Sequence, residues 1–172
     1  GDDWVLDQMR RGYTRAEYLE KISEIRDLVP ETSLSTDLIV GFSGESEFAF
    51  EGSLQVLKTV RFDKVHSAIY SVRPDTIAHR KMPDSVPRDE KKRRLQAVHA
   101  VQEQIQTEIN AALLGSEFEV LVDNSRQGIA SGRTRTDKLV YVDGRQPSIG
   151  ETVNVKITNT SPWSLRGVVS VC

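Results

Sequence analysis

Three groups of side chains in this sequence have types and spacings that could do chemistry. The first lies in Ser35-Thr36-Asp37-Leu38-Ile39-Val40-Gly41-Phe42-Ser43-Gly44-Glu45, an apolar run ending in a glycine turn and an acid. Such a run reads as a parallel strand covered on both faces that feeds a new helix, and parallel α/β barrels place ligands at the C-terminal ends of strands. Asp37, Ile39, Gly41 and Glu45 are therefore candidates for a ligand pocket. The competing reading is a core strand whose Glu45 only offsets the positive end of the next helix. The second group is Arg73, just past the next apolar run. Its guanidinium suits a carboxylate or a phosphate through paired hydrogen bonds, although a surface arginine held by Asp75 or Asp84 would look the same. The third group is Arg133, Arg135, Lys138, Lys156 and Arg166 with Trp163. Cations that follow phosphates and a ring that can stack on a base suit single-stranded RNA, while a Trp163 that fills a core is equally compatible with the pattern.

Other residues weigh less. Lys91-Lys92-Arg93-Arg94 is a possible RNA patch, but it sits inside a long helical pattern behind Asp89 and Glu90 and reads better as a solvated face. His66, His79 and His99 show no metal-ligand spacing; His66 is expected to point from a strand into core or pocket, the other two to lie on the surface. Gly132 and Gly167 read as turn glycines. The only cysteine, Cys172, is the last residue. It reads as an incidental thiol, and the count excludes both a disulfide framework and a cysteine-ligated cluster within one such chain.

Composition narrows the class. The chain has 172 residues, 38% hydrophobic and 28% charged, with a formal net charge of −2. That is a globular balance, and any RNA site in it must be a local patch. No apolar run reaches membrane length and no basic-then-apolar leader opens the sequence, so the cytoplasm is the expected compartment.

Those residues need elements to position them. Thr14-Arg15-Ala16-Glu17 is a capping box ahead of Tyr18, Ile22, Ile25 and Val29 at helical spacing, ended by Pro30. The strand near Leu34–Phe42 is followed by a helix with Phe50, Leu54 and Leu57 on one face, then a strand over Val65–Tyr70. This β-α-β alternation predicts parallel pairing with covering helices. Residues 73–87 hold three prolines and read as a loop. A helix over 87–114 follows, stopped by Gly115. Beyond it the period changes to two, in Phe118–Val122, Leu139–Val142, Val153–Ile157 and Val168–Val169, with turn signals between. That pattern predicts a small antiparallel barrel. The expected domains are 1–114 and 115–172.

Several motifs in this order resemble one family, the radical S-adenosylmethionine methylthiotransferases, and within it the MiaB-like tRNA enzymes. Met9-Arg10-Arg11-Gly12-Tyr13-Thr14 is similar to the family's M-R-R-G-Y-T, and Ser35–Glu45 to its S-T-D-I-I-V-G-F-P-G-E. Tyr70-Ser71-Val72-Arg73-Pro74-Asp75-Thr76 is similar to its Y-S-x-R-P-G-T. The last fifty or so residues resemble the TRAM domain, an OB-like RNA-binding barrel, and Ser164-Leu165-Arg166-Gly167 favours the tRNA branch. There are two departures. Ser43 stands where the family has proline, which is expected to loosen the turn. Asp75 stands where it has glycine, and Asp tolerates a left-handed backbone better than most residues.

The resemblance implies the C-terminal half of a TIM-type radical barrel joined by a long helix to TRAM. It implies methylthiolation of an isopentenylated adenosine beside the tRNA anticodon, with S-adenosylmethionine and [4Fe–4S] clusters as cofactors. The cluster ligands of the family lie in segments this sequence lacks, so the chain alone is expected to be inactive. By the same resemblance Ile39 meets the adenine, Gly41 gives the close approach, and Asp37, Glu45 and Arg73 complete the cofactor side. Arg133, Arg135, Lys138, Trp163 and Arg166 contact RNA. The implied partners are the tRNA anticodon stem-loop and the N-terminal half of the enzyme. A half barrel also leaves strand edges that could pair with a second copy. The alternative is an RNA-binding or self-associating module without catalysis.

Overall fold

The computed structural model describes residues 1–170; Cys172 lies outside them. Two compact units are present, Gly1–Gln102 and the remainder from Glu103.

The first unit opens with α1 (Asp3–Gln8) and α2 (Arg15–Leu28). The capping box of α2 is complete: the Thr14 hydroxyl accepts from the Glu17 N–H, and the Glu17 carboxylate accepts from the Thr14 N–H at 2.7 Å. β1 (Ser35–Val40) leads into α3 (Glu47–Val60), whose first turn is capped by the Ser46 hydroxyl. β2 (Lys64–Ile69) returns parallel to β1, with Asp37 opposite His66 and Ile39 opposite Ala68. A short α4 (Ile77–Lys81) precedes α5 (Arg88–Ala111). The expected loop thus contains one helical turn and a half, started by the Thr76 hydroxyl accepting from the His79 N–H.

The two-stranded sheet has unlike faces. Leu38 and Val40 with Val65 and Ile69 pack against Phe50, Val56, Leu57 and Val60 of α3, Val98 of α5, and Tyr18, Leu19 and Ile22 of α2. The opposite face carries Ser35, Asp37, Lys64, His66 and Ala68 exposed, with Ile39 half-buried. Burial of the strand on both faces is therefore corrected. α2, α3 and α5 share one side, and strand alternation sends every second residue to the other. His66, expected to point into core or pocket, stands exposed on that open face, away from the core.

The second unit is a closed barrel. β3 (Glu117–Arg126), β4 (Ile129–Thr134), β5 (Leu139–Asp143), β6 (Thr152–Thr160) and β7 (Leu165–Val169) join in the order β3-β4-β5-β7-β6, and β6 pairs back with β3. All neighbours are antiparallel except β5 and β7, which run parallel. Val120, Val122, Ala130, Val140, Val142, Val153, Val155, Ile157 and Leu165 fill the interior. Gly132 and Gly167 are not turn residues. Each lies within a strand and faces the interior, where a Cβ on Gly132 would collide with the Leu121 carbonyl and one on Gly167 with the Lys156 carbonyl. So small a barrel closes only if two inward positions carry no side chain.

Candidate functional site

The open sheet face is bordered by two clefts, both within the first unit. The larger, about 780 Å³, is walled by Ile39, Phe42, Ala68, Ile69 and Tyr70, with Arg73 at its rim. The smaller, about 410 Å³, is lined by Asp37, Glu45 and Tyr18 among others. Ile39 borders both clefts, whereas Asp37 and Arg73 open onto different ones. An apolar wall with a cation at its rim can hold a flat base and an anionic tail, and Asp37 offers an acceptor in the adjoining cleft.

The turn after β1 is built differently from the sequence expectation. Gly41 has φ +74°, open to glycine and strained for other residues. Its N–H donates to Oε2 of Glu45 at 2.6 Å. The same oxygen accepts from Nη1 of Arg94 at 2.8 Å, and Arg94 also donates to the Glu45 carbonyl at 2.9 Å. Glu45 and Arg94 are both buried, so the acid spends its hydrogen bonds inside the turn. The turn is closed by Glu45 N–H donating to the Phe42 carbonyl at 2.9 Å and Gly44 N–H donating to the Ser85 hydroxyl at 2.9 Å. Ser43 is buried in this turn, 1% exposed, and its Oγ has no hydrogen-bond partner among the described residues. Asp75 adopts φ +66°, the left-handed backbone its glycine counterpart would favour.

The basic run on α5 is not one solvated face. Lys92 and Arg93 are exposed, but Lys91 and Arg94 are each only 4% exposed. They continue backward the stripe that buries Val98, Gln102 and Ile105. A three- to four-residue step from Val98 to Arg94 to Lys91 was the available signal, masked by the charge of the residues. Burial works against the Arg94 charge, but the hydrogen bonds it donates to Glu90 and Glu45, with the attraction of those carboxylates, outweigh it and raise its pKa. Hydrogen bonds from Arg93 and Arg94 hold the Glu90 carboxyl down at about 2.

On the barrel, the candidate cations lie on the outer surface. Arg133 of β4 is level with Leu139 of β5, and Arg166 of β7 is level with Tyr141 of β5. The Arg166 guanidinium sits 5.7 Å from the Tyr141 ring centre and 3.0 Å from an Asp143 oxygen. Arg133 is near Asp123 and Asp137, and Arg135 pairs with Glu119 at 2.8 Å. Trp163 is 61% exposed in the β6–β7 turn, so it does not fill the core. Asn110, which the sequence reading passed over, organises this end of the barrel. Its Nδ2 donates to the Ser161 and Pro162 carbonyls at 2.8 and 3.1 Å, and its Oδ1 accepts from Lys138 Nζ at 3.1 Å. Asn110 thereby holds Lys138 and the turn carrying Trp163 together. Lys156 is exposed on β6.

The family model of the TRAM domain matches residues 111–170, which include all five barrel strands. The chain as a whole is similar to tRNA-2-methylthio-N(6)-dimethylallyladenosine synthases. It is 45% identical to that of Dehalococcoides mccartyi (strain CBDB1) over 166 residues, covering 96% of this chain and 40% of the relative. The Herpetosiphon aurantiacus protein of that name is 45% identical over 170 residues, 97% of this chain and 39% of its own length. The Roseiflexus sp. (strain RS-1) protein is 44% identical over 173 residues, 99% and 36%. The chain is therefore homologous, along almost all its length, to about two-fifths of these synthases, as its motifs implied.

No group of three or more His, Cys, Asp or Glu residues among the described residues is placed to hold a metal ion. No helix among them is long and apolar enough to cross a membrane.

Proposed function

We propose that this chain is the C-terminal portion of a tRNA methylthiotransferase of the radical S-adenosylmethionine class, with residues 1–114 supplying one wall of the cofactor pocket and 115–172 gripping tRNA. The observation that carries this is 45% identity to a named synthase over 96% of the chain. The donor set fits S-adenosylmethionine in kind. Ile39, Phe42 and Tyr70 form an apolar wall suited to adenine, Arg73 is a cation for the methionine carboxylate, and Asp37 is an acceptor for hydroxyl or ammonium. Gly41 and Glu45 serve that pocket through the turn they hold. When bound, the cofactor supplies the radical and the methyl group. The described residues do not fit a [4Fe–4S] cluster, and no step through one is assigned to them. The open face of β1 and β2 suits the remaining strands of the enzyme's barrel or, less specifically, a second copy.

The barrel's part is recognition of the anticodon stem-loop. Its exposed Trp163 offers a stacking surface, and Lys138, Arg133, Arg135 and Arg166 track the phosphates. Such an enzyme works in the cytoplasm. The test is titration of the chain with an anticodon stem-loop RNA whose adenosine is isopentenylated, at several salt concentrations. Salt-dependent binding that prefers the loop over duplex RNA is expected. Absence of binding, or equal binding to duplex, overturns the RNA assignment.

A further inference from the structure

Lys91 is a lysine where a solvated helix face was expected, and it is buried against Gly41 in the turn after β1. A Cβ built on Gly41 would overlap the Cγ of Lys91, with its Cδ at 3.0 Å and Cε at 3.2 Å. The near side of Gly41 is thus occupied by the methylene stem of Lys91. Beyond the stem, Nζ donates to Asp84 at 2.6 and 2.7 Å and to the Tyr70 carbonyl at 3.2 Å, and it lies 5.2 Å from the Tyr70 ring centre. Tyr70 directly follows β2, and Ser71 and Arg73 after it border the larger cleft. One side chain therefore touches the turn after β1, the exit of β2 and the loop before α5.

We propose that Lys91 is the positioning residue of this cleft. Its stem fills the side of Gly41 where a Cβ would stand, a second constraint on that position beside its positive φ, and its ammonium fixes the rim that carries Arg73. Lysine suits the task because a four-carbon stem can lie across bare backbone while the charged end reaches a carbonyl and a carboxylate together. Arg94, one turn further along α5, secures the same β1–α3 turn through Glu45. This assignment revises the expectation that the bare side of Gly41 meets the cofactor. It rests on the cofactor-pocket reading only for what the rim holds, and the tests need no ligand, so the two can fail separately.

Two measurements decide it. The first is a thermal-unfolding cycle with Gly41→Ala, Lys91→Ala, Lys91→Met and both double variants. Lys91→Met keeps the stem and loses the ammonium; Lys91→Ala loses both. Gly41→Ala should lower the first unit's midpoint less in the Lys91→Ala background than in the Lys91→Met background, the loss common to both being the strain of the positive φ. Should Gly41→Ala fail to fold, recovery of folding only when Lys91→Ala is added is the expected result. Equal damage in both backgrounds overturns the proposal. The second is amide hydrogen exchange at Tyr70, whose N–H donates to the Val40 carbonyl at 2.9 Å and whose own carbonyl accepts from Lys91. Lys91→Met should speed exchange there at least tenfold and leave β5 unchanged, while Lys92→Ala should leave both unchanged. Unchanged exchange at Tyr70 in Lys91→Met overturns the positioning role even if the stem packs as described.

Discussion

The two units place their chemistry on opposite sides of a sheet. In the barrel the interior is filled by nine buried apolar residues, and the candidate contacts stand outside on β4, on β7 and in the turns after β4 and β6. In the α/β unit one sheet face is packed under helices, and the candidate contacts stand on the uncovered face and at the ends of its strands. The difference teaches what each can recognise. A closed barrel has no empty interior and meets its partner as a convex body, which suits a folded RNA. An uncovered sheet face bordered by clefts can surround part of a small molecule. The supports differ accordingly: the α/β site depends on buried charge held by α5, the barrel site on a surface network that Asn110 organises.

The largest expected effect would break that contrast at the buried charge. Arg94→Ala leaves Glu45 buried without its cation, and breaking such a pair costs about 3–5 kcal/mol. Trp4 and Trp163 lie in different units and serve as separate fluorescence reporters. The Trp4 transition should fall sharply and the Trp163 transition should stay. The reciprocal test is Gly132→Ala, which forces a methyl group against the Leu121 carbonyl inside the barrel. Overpacking of that kind costs about 1–3 kcal/mol, and here only the Trp163 transition should drop. Movement of both transitions in either variant would show that the units do not fail separately.

Recognition gives smaller effects. Trp163→Ala should weaken stem-loop RNA binding by about 1–3 kcal/mol with no change in melting, because the ring is exposed. Unchanged affinity in a filter-binding assay would remove Trp163 from the interface. Arg133→Ala and Arg166→Ala should each lower the slope of log affinity against log salt by about 1. Each arginine already faces an acid in the chain, so a smaller drop would mean that the acid keeps it from the phosphate.

The subtlest effect is a pH dependence. The Glu90 carboxyl, held by Arg93 and Arg94 at about 2 against an ordinary 4.5, is charged and bonded at neutral pH. Its contribution is complete above pH 4.5 and is lost as the pH falls toward 2. Glu90→Gln should flatten the melting temperature of the α/β unit across that window and leave the barrel's profile as it was. An unaltered profile would assign the acid response to other groups.

Much of this contrast was legible in the residues. Thr14-x-x-Glu17 read correctly as a capping box, and the change from period 3.6 to period 2 after Gly115 separated helix from barrel strands. Asp75 was read as tolerating a left-handed backbone, which it adopts. The misses share a cause. β4 escaped because Ser131-Gly132-Arg133-Thr134 lacks apolar alternation; its inward position 132 is empty for want of space, and glycine reads as a turn. Lys91 and Arg94 escaped because charge was taken as evidence of solvent, when their helical phase pointed to the core. The one-sided packing of β1 escaped because an apolar run records what a strand can tolerate, not how many faces are covered. Asn110 gave no signal at all, since its three partners lie 28 or more residues away.

The strand order of the barrel also sets a schedule. β3 pairs with β4 across a two-residue gap, and this hairpin can form early. Its other edge waits for β6, whose Lys156 meets Glu117 from about 40 residues downstream, and β5 waits for β7. As the chain leaves the ribosome, the helices and parallel strands of the first unit are complete before the barrel can begin to shut. The barrel surface then forms after the first unit, and no stretch ending before Val169 contains all its strands. A nascent or shortened chain would therefore complete the cleft wall before it completes the surface proposed to meet RNA.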